Sequence, residues 1–354
     1  MSRIALPSGL MIPLAAMWAL TGAVGCSHLA PIDPNQLRIE AVGYLKWYCL
    51  DDSATIRVRA LEALSDTSAA EAVERFRYAL SDDYWGVRFE ACVGLGEAHD
   101  QDAMHLLRER LQDSHDAVRA AAIWALHRMG DQSRTSELAS LLLEHEDAAV
   151  RRLTAQLLGR LGEPKSMVLL TRAVHDRDQG VRWEATAAMA RLGSEKAIQQ
   201  LVYSAHSGFS DRQTFALLEL ALLGEPKCES LFRYRLEEGP HPETRLVAAR
   251  GLGRLGQTDG LRLALGSLRF DQPDQSPEVV KVDPPEQQIG RKRAMAALAL
   301  GAIGDESGLG ALAQAMRTDA PEVRVAAAKA IVEIVDRRSA GSPHADRTAG
   351  QAAQ

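Results

Sequence analysis

The residues of this chain with the most chemical potential are its ten histidines and four cysteines, and their spacing argues against a site made from them. Cys26, Cys49, Cys92 and Cys228 stand at unrelated intervals with no Cys-x-x-Cys pair. That excludes the usual zinc frameworks and gives no disulfide pattern. His115, His145, His175, His206 and His241 recur about once every thirty residues. Such spacing puts one imidazole on each structural unit, roughly 10 Å apart when helices pack, whereas a metal needs its donors about 2 Å away. The run Gly251-Leu-Gly253-Arg-Leu-Gly256 fits the GxGxxG pattern of dinucleotide sites. That pattern binds pyrophosphate only where a strand precedes the glycines and a helix starts at them. Here the glycines close a helical pattern, so the expectation is helix packing. No HExxH, GxSxG, P-loop or EF-hand pattern is present. We expect no catalytic residue, no cofactor and no metal.

Two other sets suit binding. Arg128, Arg160, Arg191 and Arg254 share one repeat position, with Leu222 interrupting. They either compensate the negative end of each helix, worth roughly 0.3–1 kcal/mol, or form a cationic stripe for an acidic peptide or polyanion. Trp124, Phe215, Leu218, Met295 and Leu298 fall on a row that reads as solvent-facing, while Tyr84 and Trp85 occupy a turn. Large apolar groups left bare often mark a binding surface; a different helix rotation makes them core. Tyr84, Trp85, Trp124, Phe215 and the four arginines are therefore the partner-binding candidates.

These positions are set by a repeat. Aligned on one column, Arg57, Arg88, Arg119, Arg151, Arg182, Gln213, Arg245, Arg293 and Arg324 follow one another at intervals of 31 or 32 residues, apart from one of 48. Apolar residues recur one before, three after and seven after this anchor, as in Val118, Ala122 and Leu126, tracing one face of a helix. Eleven after it stand Gly130, Gly162, Gly193, Gly224, Gly256 and Gly304, where a helix ends. A second amphipathic segment precedes each anchor helix, opening on Asp131, Glu163-Pro164, Glu225-Pro226 or Asp305, residues suited to a helix start. The fold class is all-α, an α-solenoid of about nine helical hairpins over 36–335. In the long interval, 271–288 carries Pro273, Pro277, Pro284 and Pro285 and is expected to be a projecting loop. Residues 336–354 lack periodicity and are expected to be a disordered tail.

The N-terminus has another composition. Arg3 is followed by the apolar run Ile4–Leu20 and by Ala23-Val24-Gly25-Cys26, the order of an export signal over 1–25. The last four residues resemble the lipobox of bacterial lipoproteins, which implies acylation of Cys26, a tether over 26–35 and a membrane-anchored location. Ser27 after the cysteine resembles outer-membrane sorting, facing the periplasm of a Gram-negative cell. Ala23 stands where that family favours leucine. A cleaved signal with a free Cys26, or an uncleaved anchor, stays open beside this reading. The chain has 41 Lys+Arg against 47 Asp+Glu, a net charge of −6, which gives no general affinity for nucleic acid.

The repeats resemble HEAT repeats, in particular the short bacterial HEAT-like units also found in phycocyanobilin lyases. The resemblance rests on the aspartate six residues before the anchor, matched by Asp51, Asp82, Asp113 and Asp176. It implies a hydrogen-bonded ladder between successive repeats. His145, Ser207, Gly239, Gln287 and Thr318 depart from the pattern, which puts the ladder's C-terminal half in doubt. Stacked hairpins curve into an extended concave surface suited to a protein or peptide. The expected function is a membrane-tethered, non-enzymatic interaction scaffold of the cell envelope. The alternative is an enzyme or chromophore-handling protein like the phycocyanobilin lyases.

Overall fold

The structure is a computed structural model and describes residues 33–207, 210–239 and 241–339. Cys26 and the expected export segment lie outside the described residues, as do 340–354. The unit Pro34–Gln354 is all-α among its described residues.

Each anchor residue lies in the second helix of a hairpin. These second helices are α2 (Ala54–Thr67), α4 (Trp85–Ala98), α6 (Asp116–Arg128), α8 (Ala148–Leu161), α10 (Gln179–Arg191), α12 (Ser210–Leu223), α14 (Pro242–Arg254), α17 (Pro285–Ile303) and α19 (Pro321–Ser339). Their partners are α1 (Pro34–Tyr48), α3 (Val73–Ala79), α5 (Met104–Arg110), α7 (Glu137–Leu143), α9 (Ser166–Ala173), α11 (Glu195–Ala205), α13 (Glu229–Glu238), α15 (Leu261–Ser267) and α18 (Leu309–Thr318). Local chemistry sets the ends. The Asp147 carboxylate accepts from the Ala149 amide and that of Asp178 from the Val181 amide, supplying first-turn donors with a partner. Gly130, Gly162, Gly193, Gly224, Gly256 and Gly304 all take positive φ at the far end, where a side chain would be strained.

The anchor arginine explains its own recurrence. Its Nη1 donates to carbonyls left over at the end of the preceding helix: Arg57 to Asp51 at 2.9 Å, Arg88 to Asp82 at 2.8 Å, Arg151 to His145 at 2.7 Å and Arg182 to Asp176 at 2.8 Å. Gln213 substitutes for arginine with the same bond, from Nε2 to the Ser207 carbonyl at 2.8 Å. The remaining guanidinium edge pairs with the next hairpin, Arg57 with Asp82, Arg88 with Asp113 and Arg151 with Asp176, each through two nitrogens. Asp176 is held below the usual carboxylate range by its bonds from Arg151. The ladder breaks where His145 replaces aspartate: Arg119 turns to Asp116, which also accepts from His145 Nε2 at 2.7 Å. One rung persists in the C-terminal half because Asp319, one residue beyond Thr318, takes Arg293 at 2.9 Å.

The solenoid does not stay open. Helix α19 packs on both α1 and α2, as α6 packs on α7 and α8 and as α8 packs on α9 and α10. The ninth hairpin thus stacks on the first, and the array closes into a ring. Ion pairs cross the closure, Arg38 to Asp336 at 2.5 Å and Arg317 to Glu40 at 2.6 Å, and Arg324 donates to the Tyr48 hydroxyl at 3.2 Å. The second helices line the inside.

Two segment assignments also change. The expected loop at 271–288 contains a short helix, α16 (Pro277–Val282), and the first residues of α17. Both helices begin on a proline, whose fixed φ and missing N–H suit a first turn. The tail expected from 336 begins later, because α19 runs on to Ser339 and Arg337 donates to the Ala302 carbonyl at 2.6 Å.

Candidate functional site

Two places gather the candidate side chains, the centre of the ring and one rim. At the centre, the arginine row points along the inner faces of the second helices and is matched by carboxylates. Arg128 meets Glu97 at 3.0 Å and lies over the Trp124 ring, its carbon 5.2 Å from the centroid. Arg160 of the fourth hairpin reaches Asp66 of the first at 3.7 Å. Arg191 holds Glu184 at 2.9 Å and bonds Glu219. Arg254 of the seventh hairpin approaches Glu333 of the ninth at 3.6 Å. Asp66 also takes Lys329 at 2.5 Å. Contacts between hairpins so far apart in the chain require the row to converge on the ring axis. The row is therefore an internal network of ion pairs, where enclosure strengthens each pair relative to open water, and not a bare cationic stripe.

Of the two readings given for the aromatic row, a bare binding face or core, Trp124 takes the second: it is fully buried and drops out as a partner-binding residue. Its indole fills space left by Gly96, where a Cβ would come 2.6 Å from the ring. The row turns inward because ring closure makes this helix face axial. Phe215 is half-buried and stacked on Trp183, centroids 5.7 Å apart. Leu218, Met295 and Leu298 are half-buried as well.

Sequence reasoning missed Glu90, whose Oε2 is shut from solvent without a hydrogen-bond partner. Burial, reinforced by nearby Glu62, raises its pKa to about 8, so it carries a proton at neutral pH. It also missed Asp66, Glu184, Glu219, Lys329 and Glu333 as partners of the arginine row. A signal existed. The column nine residues after the anchor reads Asp66, Glu97, Arg128, Arg160, Arg191, Leu222, Arg254, Ala302, Glu333. It is acidic at both ends and basic in the middle, a pattern that pairs across a ring.

The rim is built where the second helices begin. Tyr84 precedes α4 and is 43 % exposed. Trp85 beside it lies flat on His115, centroids 4.1 Å apart and planes 6° from parallel. His115 opens α6, accepting from the Ala117 amide at 3.2 Å, and burial keeps its pKa below the usual histidine range. Asp116 then carries the line on to His145 at 2.7 Å. Three successive hairpins are joined here by an aromatic and imidazole edge, with the tyrosine outermost.

Stacked helical hairpins, several of them joined to the next by an anchor arginine, define the class as a HEAT-type repeat array. Residues 44–127, 73–142 and 135–219 match the family profile of HEAT repeats, and 292–318 match that of the PBS lyase HEAT-like repeat. The chain is a HEAT-repeat protein. Among solved structures it is similar to the complex of CpcE and CpcF of phycocyanin lyase from Nostoc sp. PCC7120, at 17 % identity over 73 % of this chain and 96 % of that one, TM-score 0.40. It is also similar to human deoxyhypusine hydroxylase in complex with glycerol, at 17 % identity over 77 % and 98 %, TM-score 0.36. No curated protein matches the sequence.

Proposed function

We propose that this chain is a membrane-tethered, non-enzymatic binding scaffold of the bacterial cell envelope. In this reading residues 1–25 direct export and an acylated Cys26 holds the protein at a membrane, the outer membrane facing the periplasm in a Gram-negative cell. A protein or peptide partner is engaged through the rim. With the ring closed and its axis occupied by paired charges, the surfaces left for a macromolecule are rims and outward faces. The observation that carries the reading is the Tyr84–Trp85–His115 edge. A rigid aromatic pair whose inner ring is already stacked loses little conformational freedom on binding, which is why such residues anchor interfaces.

The tether and the rim are tested separately in living cells. Cys26→Ser should move the protein from the membrane fraction to the soluble one; an unchanged membrane fraction removes the lipid anchor from the proposal. A photo-crosslinking benzoylphenylalanine in place of Tyr84 should capture a discrete protein adduct, and the same group in place of exposed Gln132 should not. Identical adduct patterns from the two sites remove the rim.

A further inference from the structure

A cleft of about 590 Å³ opens where the ring closes, between α2, α17 and α19 and against α14. Its size lies within the range of small-molecule sites, roughly 300–1,000 Å³. Its apolar wall is aliphatic: Ile56, Met295, Leu298 and Val325 contribute, and no aromatic ring lines it. Four cations also line it, and two of them are already neutralised, Lys329 by Asp66 at 2.5 Å and Arg291 by Asp283 at 2.7 Å. The other two are Arg59 and Arg250. Arg250 is half-buried, and its Nε is closed off from solvent with no acceptor. That nitrogen is closed to a ligand as well as to water; what the cleft offers an anion is the rest of the Arg250 guanidinium, which makes no ion pair among the described residues. Glu62 and Glu322 share the cleft and disfavour anions that cannot also use the aliphatic wall.

We propose that this cleft binds a small aliphatic carboxylic acid, its carboxylate on Arg250 and Arg59 and its hydrocarbon along Ile56, Met295, Leu298 and Val325. A guanidinium presents paired N–H donors that match a carboxylate, and an aliphatic wall without rings suits a flexible chain.

Titration calorimetry of the full chain with dodecanoate below its micelle concentration tests this, with dodecanol as the uncharged twin. Saturable binding of one dodecanoate per chain is expected, at least tenfold tighter than dodecanol. Arg250→Gln should weaken dodecanoate tenfold or more and leave dodecanol unchanged. Arg59→Gln, on an exposed residue, should weaken it several-fold and serves if the first variant does not fold. Equal affinity for acid and alcohol, or no loss in either variant, would overturn the proposal. So would tighter binding of a short peptide ending in a leucine carboxylate, which would make the occupant a chain terminus.

Discussion

At the residue scale, the side chain with the clearest thermodynamic consequence is Glu90. Its pKa is about 8 in the folded ring against an ordinary 4.5. A carboxyl with a raised folded pKa contributes stability below the unfolded value and loses it as pH rises through the folded value. Glu90→Gln keeps the shape and removes the titration. The variant should therefore gain melting temperature over the parent progressively between about pH 4.5 and pH 8, with the gain level at higher pH. A difference that does not change with pH would show that Glu90 is ionised in the fold. Glu90 was not legible in the sequence, and the burial of Trp124 stood there only as one of two readings, for one reason. Both sit on helix faces that are solvent-facing in an open solenoid and axial in a closed one, and closure is not a local property.

At the element scale, the helix pairs were readable because their causes are local. Terminating glycines at positive φ, capping aspartates and the anchor arginine each act within a few residues of themselves. The ladder shows how far this extends. Its rungs stand where the aspartate pattern is intact, and at Asp319 they survive by a one-residue shift. Prolines misled at 271–288, since the same residue that breaks a helix interior can open one. Arg151 is the best test of the ladder. Its side chain is 3 % exposed and serves two carbonyls and Asp176 together. Arg151→Ala leaves Asp176 without its partner, and breaking a buried pair of this kind costs about 3–5 kcal/mol. Urea unfolding should read a loss of that order. A loss below about 1 kcal/mol, the scale of a surface pair, would mean that the repeats hold together by apolar packing alone.

At the scale of the whole molecule, closure changes both the energetics and the sites. An open array has two exposed end faces and can fray from either one. A ring has none, because α1 is covered by α19. Leu45 in α1 is fully buried, so Leu45→Ala should cost about 2–5 kcal/mol. The substitution should lower a single unfolding transition; a separate early transition for the first hairpin would indicate a free end. The aliphatic cleft depends on the same junction, being walled by hairpins from both ends of the chain.

The distance between those ends is the most direct test. Spin labels on Glu40→Cys and Arg317→Cys, in a background with Cys26, Cys49, Cys92 and Cys228 replaced by alanine, can be measured in solution by double electron–electron resonance. In the ring these positions touch, at 2.6 Å between charged groups, and the labels should give one short, narrow distribution below about 25 Å, allowing for the label arms and the 3.8 Å Cα step. Nine hairpins stacked openly at roughly 10 Å each would separate them by about 80 Å, and a distribution centred beyond about 50 Å would contradict the closed ring.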